Sequence, residues 1–269
     1  MGGGLNGYNV FTQERGAAAV FRVIPAEILS MESLELPAVF HQIASFPHGL
    51  VLVTGPAGSG KSTTLAAIID NINRSRQQHI ITVEDPIEFL HQSKKCLVSQ
   101  REVFRDTHGF SAALRSALRQ DPDIILVGEL RDLETIRLAM TAAETGHLVF
   151  ATLHTSSAAK TINRVIDVFP GDEKSMIRTM LSGSLQAVIA QTLLKKEGGG
   201  RVPAFEIMLC NLAIRSLIRE DKVAQMYSTI QTGKIHGMQT LDQDLMQLLQ
   251  KNKITREAAR EVAMSKDLF

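Results

Sequence analysis

The chain has 269 residues, a formal net charge of +1 and 44% hydrophobic residues, enough for one large α/β domain and a small appendage. Balanced charge, no Trp and two Tyr give no basic stripe studded with aromatics, so nucleic acid is not an expected partner. Its apolar runs stay short of the roughly 20 residues a transmembrane segment needs, no signal peptide is evident, and Cys96 and Cys210 lack the CxxC spacing of a zinc site or disulfide framework, which leaves a cytoplasmic protein with buried, reduced thiols as the simplest expectation.

Met1-Gly2-Gly3-Gly4 reads as a start placed inside a longer chain. Residues 9–11 and 17–24 alternate like two short strands, too little to bury a core, and read as the last piece of a preceding domain. A linker with a short helix is expected over 25–37, the core over 38–210 and a run of small helices over 211–269.

In the core, Leu50-Val51-Leu52-Val53 reads as a buried strand and Thr63 to Arg74 has helical spacing. Between them lies Gly55-Pro56-Ala57-Gly58-Ser59-Gly60-Lys61-Ser62, a full GxxxxGK[ST] motif followed by Thr63. Strand, glycine loop and helix are the context that makes this pattern a phosphate site. The glycines let successive backbone N–H groups turn toward an anion, and the helix start adds partial positive charge. Lys61 can reach the β- and γ-phosphates and the Ser62 hydroxyl can ligate Mg²⁺, so ATP or GTP is expected to bind.

Further strands are expected at His79–Glu84, Cys96–Ser99, Ile124–Gly128 and Leu148–Leu153. Helices are expected at Gly60–Arg74, Ser111–Arg119, Leu133–Thr145, Ala158–Val168 and Lys174–Leu194, with a Gly198–Gly200 turn before a run from Val202 to Leu209. This alternation predicts a mostly parallel sheet with helices on both faces. Ligands in such sheets gather at the carboxyl ends of the strands. One such end carries three carboxylates, Glu84, Asp85 and Glu88, around Pro86; a carboxylate near a γ-phosphate can orient and deprotonate water. Ile124–Val127 ends in Gly128-Glu129, where P-loop enzymes carry the acid that organises the metal's water shell, here Glu129. His147 and His154 bracket Leu148–Leu153, too far apart to share one ion. His154, at the carboxyl end, is the better placed to sense a γ-phosphate.

Beyond the core, Ala213 to Glu220 (AIRSLIRE) puts Ile214, Leu217 and Ile218 on one helix face. Arg215 and Arg219 form an i, i+4 like-charge pair, which suggests a contact with a partner or a neighbouring element. Leu241, Leu245, Leu248 and Leu249 make a plain amphipathic stripe of core packing.

Taken in order, GPAGSGKST, ITVEDPIEF, DPDIILVGELRD and TGHLVFATLHT resemble the secretion ATPase superfamily, which powers type II and type IV secretion and type IV pili. AIRSLIRE is similar to the C-terminal signature of its pilus-retraction branch, and the absence of a paired CxxC insertion favours that branch. The resemblance covers about residues 9–269. It implies a RecA-like P-loop core with a mostly parallel sheet and a small C-terminal helical subdomain, Mg²⁺-dependent ATP hydrolysis, a homohexameric ring, and a partner in the inner-membrane pilus platform. It implies that Lys61 and Ser62 hold phosphate and metal, that Glu88 is the general base, that Glu129 is the Walker B acid, and that His147 and His154 are histidine-box residues. Arginines from a PAS-like domain, of which this chain carries only a remnant over 1–37, are expected at the γ-phosphate; Arg15 and Arg22 are the candidates. An accessory paralogue of the retraction motor, a nucleic-acid-translocating motor and a nucleotide switch without turnover are the alternatives.

Overall fold

The structure, a computed structural model, describes residues 5–23 and 27–269. β1 (Leu5–Gln13) and β2 (Gly16–Val23) form an antiparallel hairpin. The chain then runs through α1 (Val39–Ala44), β3 (Gly49–Thr54), α2 (Lys61–Ser75), β4 (His79–Glu84), β5 (Leu97–Glu102), α3 (Phe110–Ala117), β6 (Ile124–Val127), α4 (Leu133–Glu144), β7 (Leu148–Leu153), α5 (Ala158–Asp167), α6 (Lys174–Ser184), β8 (Leu185–Lys195) and β9 (Arg201–Leu209). Four helices close it: α7 (Leu212–Arg219), α8 (Met226–Thr232), α9 (Leu241–Gln250) and α10 (Arg256–Val262).

β3, β6 and β7 are buried along their whole length, because helices cover both faces of the sheet they sit in. The sheet has the order β5-β4-β6-β7-β3-β8-β9. All neighbours pair in parallel except β8 and β9. Its core is aliphatic, with Leu50–Val53, Ile124–Ile125 and Leu148–Ala151 at its centre. Cys96 and Cys210 are buried and free, and burial pushes the Cys210 thiol up to about 12.

Two expectations are corrected here. The helix expected over Lys174–Leu194 stops at Ser184, and Leu185–Lys195 is β8, inserted between β3 and β9. A run of Leu, Val, Ile and Ala suits a buried helix or a buried strand equally, and the open ladder edge of β3 decides in favour of the strand. The short helix expected before Pro37 is a turn at residues 31–35, with Met31 buried in the core. A smaller difference matters for the site: β5 continues to Glu102, pairing Gln100 with Thr82 and Glu102 with Glu84.

Packing runs on past residue 210. Ile214, Ile218, Met226 and Ile230 from α7 and α8 join the main core, and Arg215 fastens α7 to the α6–β8 junction through Ser182 O, Gly183 O (2.8 Å) and Gln186 Oε1 (3.0 Å). A second cluster, Leu245, Ile254, Ala259 and Ala263 with Leu194 and Ala204, packs α9 and α10 on the far end of the β8–β9 hairpin. No helix among the described residues is long and apolar enough to cross a membrane.

The outer edge of β9 is occupied by the chain itself. Ile207 exchanges both backbone hydrogen bonds with Gln239 (2.8 and 3.1 Å), Gln239 Nε2 donates to Phe205 O (3.2 Å), and Phe205 N–H donates to Asp244 Oδ2 (2.8 Å). Burial pushes the Asp244 carboxyl up to about 6 from 3.8. With the folded value above the unfolded one, the folded chain holds this proton more tightly. The contribution is therefore fully present below pH 4 and is lost as pH rises through about 6, a loss on the order of 3 kcal/mol. Asp244→Asn keeps an oxygen for the Phe205 N–H without the charge. Thermal unfolding from pH 4 to 7 should show a smaller decline for Asp244→Asn and a higher Tm at pH 7; an unchanged profile would remove Asp244 as its source.

Candidate active site

The parallel register brings four strand ends to one edge of the sheet. Thr54 pairs with Leu153, Val127 with Ala151 and Val83 with Val127, so the residues that follow, Gly55, His154, Gly128 and Glu84, emerge side by side. Gly55, Gly58 and Gly60 all have positive φ, at 144°, 74° and 88°. At Gly55 a Cβ would lie 2.1 Å from the carbonyl oxygen of Gln191, so no side chain fits there. Gly60 begins α2 in the left-handed region with no side-chain cap, which leaves the first turn of a 15-residue helix to an anion.

Gln191 of β8 is the brace of this loop. Its side chain donates to Ser59 O (2.7 Å) and accepts from the Thr64 hydroxyl (2.8 Å), buried on both sides. Lys61 Nζ lies against the loop's own carbonyls, Gly55 O (2.9 Å) and Pro56 O (3.0 Å). Burial lowers the Lys61 ammonium below its usual range, while Glu129 and Glu88 oppose that shift. Ser59 Oγ is buried without a hydrogen-bond partner. A left-handed glycine cradle, a cation within reach and an unsatisfied hydroxyl fit a phosphate group.

Lys61, Ser62, Glu84, Glu88, Glu129 and His154 line one cavity of about 530 Å³. Glu129 is gripped from two sides, by His154 Nε2 at 3.1 Å and Arg131 Nε at 2.8 Å. Arg131 also reaches Asp85 at 3.5 Å, joining the β6 and β4 ends. Arg131 is half exposed, so these ion pairs orient Glu129 more than they stabilise the fold. The Thr152 hydroxyl donates to Gly128 O and fixes the turn ahead of Glu129. Glu84 is tied down by the Thr82 hydroxyl (2.7 Å) and Gln100 Nε2 (3.2 Å). Burial, the largest influence, raises its carboxyl above the usual range. Ser62 and Glu129 face the cavity, and the described residues gather no set of three His, Cys, Asp or Glu around one point. That donor set fits Mg²⁺, which takes one or two protein oxygens and completes its shell with phosphate and water.

Sequence reasoning missed Arg131, Gln191 and Thr152. The only signal for Arg131 was its place two residues after Glu129, and Gln191 was hidden inside the misread helix. Other expected residues lie elsewhere. His147 sits at the amino end of β7, a six-residue strand and so roughly 20 Å from His154. Its Nδ1 meets Ala142 O at 2.9 Å, closing the α4–β7 turn, so it is not brought to the cavity. Arg15 is exposed in the β1–β2 turn and does not line the cavity; the Arg22 side chain lies outside the described residues. Arg215 is bound within the chain, as described above, so of the two contacts expected for the pair it makes the one with a neighbouring element. Arg219 is the exposed member of the pair.

Residues 14–264 match the family described as Type II/IV secretion system protein. The chain is 68% identical to the Type IV pilus retractation ATPase PilT of Pseudomonas aeruginosa, over 97% of this chain and 76% of that protein. It is 59% identical to a twitching motility protein of Neisseria gonorrhoeae, over 96% of this chain and 70% of that one. A crystal structure of the pilus retraction motor PilT with bound ADP aligns with a TM-score of 0.91 at 50% identity, covering 97% of this chain and 75% of that one. The RecA-like architecture expected from the motifs is thus shared along with the sequence. By a match that spans nearly its whole length, the chain belongs to the Type II/IV secretion system protein family.

Proposed function

We propose that this chain is a Mg²⁺-dependent ATPase that drives type IV pilus retraction and so twitching motility. The observation that carries the reading is the convergence of the Walker A loop, Glu88, Glu129 and His154 on one cavity, in a chain 68% identical to a retraction ATPase. The protein acts as a homohexamer on the cytoplasmic side of the inner membrane, against the pilus platform. Residues 1–37 belong to a PAS-like domain, 38–210 are the ATPase core and 211–269 the helical region. Arginines of the PAS-like domain, with Arg15 and Arg22 as the candidates here, approach the γ-phosphate.

Lys61 leaves its own carbonyls to take the β- and γ-phosphates, and the α2 amino terminus holds the anion. Ser62, and Glu129 through water, would hold Mg²⁺, which would neutralise phosphate charge. Glu88, exposed on the cavity rim, accepts the proton of the attacking water. His154 reads the γ-phosphate from the Glu129 side and registers its loss through their hydrogen bond.

Lys61→Ala should fold normally and lose nucleotide affinity or hydrolysis; full ATPase activity in the folded variant would refute the phosphate site. Glu88→Gln should bind ATP and lose turnover by about 10²-fold or more, whereas Glu129→Gln should alter the Mg²⁺ requirement. Hydrolysis at the normal rate by Glu88→Gln would move the base to Glu84. The two arginines of α7 should separate: Arg219→Ala should leave ATPase activity within about twofold while abolishing retraction, giving heavily piliated, non-motile cells. Arg215→Ala should lower the Tm, since it strips three acceptors of their donor. Normal retraction by Arg219→Ala would remove the coupling role from that residue.

A further inference from the structure

Glu88 lies on the connection between β4 and β5, which holds its shape through side chains of the two strands. Ile87 N–H donates to Glu102 Oε2 at 3.1 Å. Gln100 spans the other side: its Nε2 donates to Phe89 O at 2.9 Å and its Oε1 accepts from His91 N–H at 2.7 Å. The same Nε2 reaches Glu84 Oε1 at 3.2 Å. The far half of the connection is pinned by α2, where Asn73 takes Lys94 N–H (3.0 Å) and Gln92 O (2.8 Å). Gln100 does not line the cavity, so it has no place against nucleotide.

We infer that Gln100 is the positioning residue for Glu88, fixing the catalytic carboxylate at the γ-phosphate by holding Phe89 and His91 on either side of a single amide. The inference rests on the reading of Glu88 as general base. The chemistry selects an amide, because the segment presents an acceptor at Phe89 and a donor at His91, and one neutral group must serve both. A carboxylate could accept from His91 but could not donate to Phe89, and it would stand beside Glu84. The ladder sets the distance: Gln100 pairs with Thr82 two residues before the strand end, so its reach is measured from the strand that carries Glu84. A base displaced by about 1 Å loses up to about 10²-fold in rate while substrate binding elsewhere is untouched.

The test compares Gln100→Ala and the isosteric Gln100→Glu by single-turnover ATP hydrolysis, fluorescent ADP binding and melting temperature, each alone and combined with Glu88→Gln. A positioning role predicts a kcat lower by about 10-fold to 100-fold with KM for ATP within about twofold. It predicts no further loss when either change is added to Glu88→Gln, since the group being positioned is already inert. Wild-type kcat in both Gln100 variants would overturn the inference. So would a multiplicative loss on top of Glu88→Gln, or ADP affinity falling in step with kcat, both of which mark general damage. Full activity of Glu88→Gln alone would instead remove the base assignment, and the positioning role with it.

Discussion

Everything at the nucleotide site depends on parallel pairing in register. A parallel ladder fixes not only which strands neighbour each other but where each one stops, and here β3, β4, β6 and β7 stop within two residues of each other. Helical crossovers return the chain after β3, β5, β6 and β7, while β4 and β5 are joined by the helix-free connection that carries Glu88. An antiparallel arrangement of the same strands would scatter Gly55, Glu84, Gly128 and His154 over both ends. The antiparallel pair of the seven-stranded sheet, β8 with β9, stands at its margin, and of those strands β8 touches the loop through Gln191.

Gln191 ties the phosphate loop to the side of the sheet opposite the acids. Gly55 and Gly60 are both packed against it, so the loop's shape is set jointly by its own glycines and by a buried amide 131 residues after Gly60. The acids are held differently. Glu129 is poised between the His154 ring and the Arg131 guanidinium, both partly exposed, an arrangement weak in energy but specific in direction. One wall of the cavity is therefore rigid and buried, and the other is electrostatic and able to rearrange as phosphate charge arrives and leaves.

The parts legible in the sequence were those with local signatures. The GxxxxGKS loop, the acids after Ile80–Val83 and Ile124–Val127 and the apolar centre of β7 each announce themselves within eight residues. What escaped notice were relations between distant segments. Leu185–Leu194 satisfies helix and strand patterns alike, and only the vacancy beside β3 distinguishes them. The helix pattern suggests that Arg215 contacts something outside its helix but not what, because its partners, Ser182, Gly183 and Gln186, come from another element. The resemblance groups His147 with His154, yet strand direction, legible in the sequence, puts His154 at the catalytic edge and His147 at the back. Gln100 carries no motif at all; its meaning comes from a strand that runs three residues past the end of the apolar run.

The closure of β9 has a consequence for the molecule's solubility and assembly. A sheet edge offers unpaired N–H and C=O groups to any extended peptide, including another copy of itself. At Phe205 and Ile207 all four such groups are already taken by Gln239 and Asp244. Strand addition at that margin would first have to peel away the segment leading into α9. At Phe205 and Ile207 a second copy of this chain finds no free backbone group on which to extend the ladder. A buried carboxylate that weakens the fold above pH 4 is the local cost of that seal.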